Sequence, residues 1–109
     1  MKIDKTLQLP CGVEIKNRFL KSAMTEGIAN SDALSNKRHV KLYERWAKGG
    51  TGISITGNVQ IDHRYIERAG NVVIEAKQTN KSLSALANWS QAGKKKNTQT
   101  VSAPKNISR

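Results

Sequence analysis

Apolar and polar residues alternate along this chain with a period that changes several times. In "LQLPCGVEIK", residues 7–16, the alternation predicts a short hairpin that turns at Pro10-Cys11-Gly12. A second strand is predicted over residues 18–23. The stretch "MTEGIANSDALS" that follows has neither a helical nor an alternating period, which predicts a long loop over residues 24–35.

A helix is predicted from residue 35 to residue 48, with Ser35 as its N-cap and Gly49-Gly50 as its end. The apolar positions of this stretch recur at the spacing of one helix face: Val40, Leu42, Tyr43, Trp46 and Ala47. The next segment, "TGISIT" over residues 51–56, is β-branched and apolar. It predicts a buried parallel strand that Gly57 closes.

Residues 58–79 are predicted to form a long excursion with a small strand at Val72-Val73-Ile74. A second helix is predicted over residues 81–92 and stops at Gly93. The residues that we expect on its inner face are Leu83, Leu86, Ala87 and Trp89. Residues 97–101 could begin another strand, although the stretch is polar and soon meets Pro104.

Strands that alternate with helices predict an α/β fold with a parallel sheet and right-handed crossovers. The two strand-to-helix loops are long, whereas Gly49-Gly50 alone joins the first helix to the next strand. Functional sites of parallel α/β folds lie at the carboxyl ends of the strands. Met24-Thr25-Glu26 and Gly57 are therefore expected at the functional edge.

The composition limits the choice of protein class. The 109 residues are 37% hydrophobic and correspond to one domain, without an apolar run long enough to cross a membrane and without an apolar leader. A single cysteine, Cys11, excludes an internal disulfide and a cysteine-based metal site. We expect a cytoplasmic protein.

The net charge of +11 is concentrated near the end of the sequence, where residues 94–109 hold five basic side chains and no acidic one. Such a stretch binds phosphate backbones in some proteins. A solvated helix end followed by a polar terminus also accounts for it, and no exposed aromatic platform for bases is predicted. We favour the second interpretation, so binding to nucleic acid is an alternative only.

Self-contained catalytic motifs are missing. No glycine-rich phosphate loop follows a strand, and neither a metalloprotease helix nor a GxSxG nucleophile turn occurs. His39 and His63 are expected to be surface residues rather than metal ligands. Glu26 could act as a general base at a strand end, but a single carboxylate in a loop is usually solvated. We therefore assign no catalytic and no metal-binding residue.

Three separated segments, "GVEIKNRFLKSAMTEG", "YERWAKGGTGISITGNVQID" and "LANWSQAGKKKNTQ", resemble in order and spacing the N-terminal part of the Old Yellow Enzyme family. The resemblance covers residues 7–99. It implies the N-terminal portion of a (β/α)₈ barrel, with a hairpin and about two βα units, that binds FMN at the carboxyl ends of its strands. It also implies hydride transfer from NAD(P)H through flavin N5 to an activated, α,β-unsaturated substrate.

Matched to the family, Ser22, Ala23, Met24 and Thr25 form the segment that meets the flavin, with the Thr25 hydroxyl toward flavin O4. Gly57 matches a small residue beside the flavin ring, where a side chain would collide with the ring.

The chain departs from the family pattern at two places. Ala23 stands where relatives often have proline. After "NTQ" the chain reads "TVSAPKNISR" instead of the family's third strand, and Gln99 lies too early to be the flavin-contacting glutamine. The resemblance thus divides the chain into residues 1–99, part of an FMN-binding barrel domain, and residues 100–109, a divergent polar tail.

A barrel of this kind takes about 250 residues. We therefore expect a truncated product that binds FMN weakly or not at all and is inactive alone. The sequence leaves open a noncatalytic fragment that binds nucleic acid or a partner chain, and self-association through an open sheet edge.

Overall fold

A computed structural model describes residues 3–66 and 68–105, the last four of these as backbone only. The predicted hairpin is present: β1 (Leu7–Gln8) pairs antiparallel with β2 (Glu14–Ile15), and Leu7 lies opposite Ile15. Cys11 is exposed in the turn. Gly12 has a φ of +93°, which explains why a glycine follows the cysteine there.

The rest of the chain is an α/β layer, as predicted. Its elements in chain order are β3 (Leu20–Lys21), α1 (Lys37–Lys48), β4 (Ile53–Gln60), β5 (Val72–Val73), α2 (Asn80–Gly93), a 3₁₀ turn (Lys95–Asn97) and β6 (Gln99–Lys105). Every strand pair in this sheet is parallel. The loop between β3 and α1 is as long as the sequence predicts, and the small strand in the excursion is present as β5.

The sheet is centred on β4. Strand β6 pairs with β4 along residues 53–60, so it occupies one whole edge of that strand. Strands β3 and β5 therefore share the other edge: β3 pairs with residues 53–54 and β5 with residues 59–60. Residues 55–58 of that edge lie between the two short ladders.

Strand β4 continues past Gly57 to Gln60, so the prediction that Gly57 closes the strand is wrong. From Ile55 to Asn58 the strand advances three residues while its partner β6 advances two, which makes a β-bulge. The extra residue changes which side chains face the helices. Gly57 and Asn58 have low strand propensity. The bulge accommodates them, and β4 pairs with β6 on both sides of it.

The stretch expected to fail as a strand forms β6, which has seven residues. Its pairing with β4 compensates for its polar composition, and Pro104 falls inside it. Strand β6 crosses the predicted boundary between residues 99 and 100, while residues 106–109 lie outside the described part. The domain boundary itself stays a prediction.

Helix α1 begins one residue later than predicted, after Asn36. The Asn36 side chain accepts a hydrogen bond from the backbone N–H of Arg38 at 2.9 Å. In return His39 Nδ1 accepts one from the backbone N–H of Asn36 at 3.2 Å, which completes a capping box. Ser35 instead donates its hydroxyl proton to the carbonyl oxygen of Ala85 in α2.

His39 is buried, so its prediction as a surface residue is wrong. Its ring packs against Trp89 of α2 with centroids 5.1 Å apart, and only 1% of the residue is exposed. Burial and the nearby Arg38 charge lower the pKa of His39 from 6.5 to about 4. The neutral ring is the form that can accept the capping bond.

Helix α2 is rotated relative to the prediction. Trp89 and Ala92 are buried as core residues and Leu86 is half-buried, but Leu83 is 52% exposed and Ala87 is also exposed. Helix α2 includes Gly93, so the prediction that it stops there is wrong. A Cβ at Gly93 would come within 2.6 Å of the Thr100 hydroxyl oxygen, so glycine allows the helix to lie close to β6. This close approach of helix and strand determines which face of α2 is buried.

The core lies between the sheet and the two helices. It contains Tyr43, Val59, Val72 and Trp89, and the Tyr43 and Trp89 rings meet edge to face at 5.4 Å. Neither helix in the described ranges has the length and apolar character of a membrane span.

Candidate functional site

The segment from Ser22 to Thr25 leaves the carboxyl end of β3, and all four of its residues are exposed. Within the described ranges, no backbone–backbone hydrogen bond involves residues 23–27. Backbone donors and acceptors need partners, so this segment offers its polar groups to water or to a ligand. The structure thus places four of the five predicted site residues on one exposed edge.

Gly57, the fifth predicted residue, lies beside this segment on β4. A Cβ at Gly57 would come within 2.4 Å of the Met24 carbonyl oxygen and within 2.4 Å of a Glu26 carboxylate oxygen. Because real Cβ atoms do not approach so closely, the loop after β3 by itself requires glycine here. A flat ligand that lies close to this backbone would be a second reason for glycine at position 57.

Tyr43 of α1 connects these two parts of the site. Its hydroxyl donates to Glu26 Oε2 at 3.2 Å and accepts from the Gly57 backbone N–H at 3.0 Å. The tyrosine has no exposed surface. The Gly57 amide is therefore directed toward the helix layer, in the gap between the β3 and β5 ladders.

Glu26 is half-buried, so its prediction as a solvated loop carboxylate is wrong. Burial raises the pKa of Glu26, while the positive charge of Lys21 and the Tyr43 hydrogen bond oppose that rise. Burial likewise lowers the pKa of Lys21, against the effect of Glu26. The same two causes, burial and the Glu26 charge, raise the pKa of Tyr43 well above its ordinary value.

The Lys21 ammonium lies over two aromatic rings of α1, 4.5 Å from the centroid of Trp46 and 5.3 Å from that of Tyr43. Its Nζ has no hydrogen-bond partner among the described residues. The rings therefore provide the favourable contact for this buried charge.

Asn58 is a site residue that the sequence analysis missed. Its Nδ2 donates to the Thr25 hydroxyl oxygen at 2.8 Å. The Thr25 hydroxyl accepts this bond, so its own proton can be donated elsewhere. Asn58 reaches Thr25 because the bulge in β4 turns it to the side opposite the core residue Val59, and no local sequence signal indicates a bulge other than Gly57 itself.

A second polar cluster follows β4. His63 is exposed, as predicted, and its Nδ1 lies 2.9 Å from a Glu75 carboxylate oxygen. Asp62 binds Arg64 at 2.6 Å, and this pairing lowers the pKa of the carboxyl. One donor atom from each of Asp62, His63 and Glu75 lies within 4.8 Å of the others. These groups already have partners in one another and in Arg64.

Lys95 and Lys96, two of the basic residues near the sequence end, lie away from this edge. The 3₁₀ turn that contains Lys95 and Lys96 comes before β6, at the amino end of the sheet. Lys16 donates to the Lys96 carbonyl oxygen at 2.6 Å, and burial together with the Lys96 charge lowers the pKa of Lys16. The lysines of the 3₁₀ turn and the exposed edge are therefore separate regions.

The edge after β3 fits a flat, polar-rimmed cofactor in its chemistry. It combines small exposed residues, uncommitted backbone groups and a hydroxyl with a proton to donate. It lies at the carboxyl end of a parallel strand, where (β/α) proteins bind their ligands. Parallel strands, a helix layer and this edge together are typical of (β/α) proteins.

Known proteins support this class. No family model matches the chain. Over 88 residues it is 38% identical to the NADH-dependent flavin oxidoreductase iliE of Hypocrea jecorina (strain QM6a), which covers 81% of the chain and 21% of the relative. Over 98 residues it is 33% identical to the iliE protein of Neonectria sp. (strain DH2), covering 89% of the chain and 13% of the relative. The chain thus spans about a fifth or less of these relatives.

Solved structures agree on the fold. The Old Yellow Enzyme from Pichia sp. AKU4542 superposes with a TM-score of 0.83 at 18% identity, over 97% of this chain and 26% of that one. The old yellow enzyme homologue from Zymomonas mobilis has a TM-score of 0.80 at 15% identity, over 95% and 28%. The chain is thus similar in sequence to part of NADH-dependent flavin oxidoreductases and has the fold of part of an Old Yellow Enzyme barrel.

Proposed function

We propose that the chain provides the flavin-facing edge of an FMN-dependent oxidoreductase, with Ser22, Ala23, Met24, Thr25 and Gly57 nearest the cofactor. The observation that carries this proposal is the exposed segment after β3, whose backbone groups have no backbone partner. When bound, FMN would supply hydride transfer from the reductant to an electron-poor acceptor. The protein's contribution is to bind and orient it.

Within this proposal, each residue of the edge has its own task. Thr25 donates its hydroxyl proton to the flavin, and Asn58 orients that hydroxyl by donating to its oxygen. The small side chains of Ser22 and Ala23 leave room for a ring to lie along the backbone. Gly57 keeps the loop close to β4.

The reductant and the acceptor are proposed from the relatives. Both iliE proteins are named as NADH-dependent, so we propose NADH as the reductant. A cinnamate reductase of Clostridium sporogenes is 40% identical over 52 residues, 47% of this chain and 8% of that protein. Its name indicates an α,β-unsaturated carboxylate, which supports an activated alkene as the acceptor. The cytoplasmic location expected from the sequence stays a prediction.

We also propose that the chain associates through its sheet. Leu20 and Val101 are half-exposed on the face away from the helices. Exposed apolar rows of this kind favour association. A second copy of the chain would cover them.

Nuclear magnetic resonance of the 109-residue chain with FMN tests the site even where binding is weak. We expect FMN to shift the amide signals of residues 22–25 and 57 while those of Gly49 and Gly50 stay in place. Thr25→Val should weaken FMN binding about fivefold, because it removes one hydrogen bond, whereas Thr25→Ser should keep it. Shifts confined to Lys94, Lys95 and Lys96 would contradict the proposal, since they would indicate nonspecific contact with the phosphate.

A further inference from the structure

We propose that Tyr43 and Glu26 are positioning residues that hold the flavin-facing loop against β4, with the Tyr43 hydroxyl as the joining group. This inference rests on the proposed function, because it concerns the same edge. It assigns a role to two residues that have no place among the five nearest the cofactor.

The geometry gives one hydroxyl two different connections. Toward the loop, Tyr43 donates to Glu26 Oε2 at 3.2 Å. Toward the strand, it accepts from the Gly57 N–H at 3.0 Å. The loop has no backbone–backbone hydrogen bond over residues 23–27 in the described ranges. This side-chain link and the Asn58–Thr25 bond are two polar contacts that attach it to β4.

The position of the link also matters. Residues 55–58 of β4 lie between the short ladders made by β3 and β5, on the edge that those two strands share. Along that interval the Gly57 amide has a phenol oxygen as its acceptor instead of a strand carbonyl. Helix α1 thus supplies, through one side chain, the acceptor of the Gly57 amide.

Packing fixes the phenol itself. The Tyr43 ring has no exposed surface and meets the Trp46 and Trp89 rings edge-on, with centroids 5.1 and 5.4 Å away. The Lys21 ammonium lies over the Trp46 and Tyr43 rings and balances the Glu26 charge. Because these contacts hold the Tyr43 phenol in place, its hydroxyl can set the distance between the loop and β4. Glu26 already lies so close to Gly57 that a Cβ at Gly57 would not fit between them.

The variant Tyr43→Phe removes the hydroxyl and keeps the ring. We expect hydrogen exchange of the Gly57 amide to become about tenfold faster, because its acceptor is lost. Amides in the middle of α1 should keep their rates. Tyr65→Phe, which removes the chain's other phenol hydroxyl, is the matched control and should leave the Gly57 amide unchanged.

Glu26 provides a second, independent pair of variants. Glu26→Gln keeps an oxygen that accepts from Tyr43, so Gly57 protection and the signals of Met24 and Thr25 should stay close to those of the parent chain. Glu26→Ala removes the acceptor and should broaden or shift those two signals. Tyr43→Phe and Glu26→Ala should each weaken FMN binding about fivefold, since the flavin-facing loop is no longer held against β4.

The two proposals can fail separately. A Gly57 amide that exchanges at the same rate in Tyr43→Phe, or whose rate rises only together with that of every other amide, would overturn the positioning role whether or not FMN binds. A second outcome separates the two proposals. If exchange in Tyr43→Phe becomes faster at the Gly57 amide alone, and FMN does not shift the amide signals of residues 22–25, the positioning role is supported and the flavin site is refuted.

Discussion

The two faces of the parallel sheet have opposite chemistry. The face toward the helices carries a polar row that crosses three strands side by side: Lys21, Ser54 and Thr100. The face away from the helices carries the apolar residues Leu20, Ile53, Ile55 and Val101. Leu20 is 53% exposed and Val101 is 50% exposed.

This arrangement is the reverse of what a free-standing α/β layer needs, because such a layer buries its apolar strand residues under the helices. Here aromatic rings of the helices form much of the core on the covered side. Branched side chains fill the interior of (β/α)₈ barrels. The uncovered row therefore has the character of a barrel interior, in agreement with the fold of the solved relatives.

The largest difference between the faces should appear when a side chain is shortened on each. Tyr43→Ala on the covered side should lower the free energy of unfolding by about 3–5 kcal/mol, because it leaves a cavity in the core. Val101→Ala on the other side should lower it by less than about 1 kcal/mol, since the side chain is half-exposed. Urea unfolding measures both, and equal losses would remove the contrast.

Acid should affect the covered side through His39. Its pKa in the folded chain is about 4, below the ordinary 6.5, so the unfolded chain binds its proton first. Stability should therefore fall as the pH decreases from 6.5 toward 4, with this histidine contributing at most about 1.4 kcal/mol per pH unit.

His39→Gln is the control for that prediction. Glutamine can accept the same capping bond from the Asn36 N–H but does not titrate. Unfolding curves at several pH values should show a shallower decline for the variant. Identical declines would mean that other groups, not His39, cause the acid sensitivity.

A smaller effect of the opposite sign is expected at Ser54. Its hydroxyl is buried on the covered face without a hydrogen-bond partner among the described residues. Ser54→Ala should raise the free energy of unfolding by about 1 kcal/mol, because an unsatisfied polar group is removed. Ser22→Ala, at an exposed serine, should change it by less than about 0.5 kcal/mol. A loss of stability in Ser54→Ala would show that the hydroxyl has a partner.

The smallest change in stability is expected from Leu20→Lys on the uncovered face, within about 0.5 kcal/mol. Its effect should be on association instead. Analytical ultracentrifugation should show less self-association than for the parent chain, because a charge interrupts the apolar row. Undiminished association would place the contact elsewhere.

Much of this fold could be predicted from periodicity and from the family resemblance. The hairpin and the parallel order of the strands appear where the sequence indicates them, and helix α1 does so within one residue. Strand β3 is shorter than predicted, since it covers only Leu20–Lys21 of residues 18–23. The wrong predictions concern positions where a contact outside the local pattern decides between two alternatives. Ser35 and Asn36 are both good N-caps, and the return bond from His39 favours Asn36.

The predictions for the buried face of α2 and for strand β6 were wrong for a related reason. Hydrophobicity alone places Leu83 inside, yet the close approach of Gly93 to Thr100 turns a different face inward. Strand β6 has weak intrinsic preference and forms because β4 pairs with it. The link from Glu26 through Tyr43 to Gly57 joins three distant parts of the chain, so no local pattern could predict it.

The bulge in β4 reverses the alternation of side chains between the two faces of the sheet. Side chains before it alternate in one sense, with Ser54 toward the helices and Ile55 away from them. After it the alternation starts again in the opposite sense, so Val59 enters the core and Asn58 stands beside Thr25. A deletion of one residue there would exchange those two side chains between faces while the composition of the strand hardly changed. One inserted position thus lets a single strand place Val59 in the core and still present the Asn58 amide to the site.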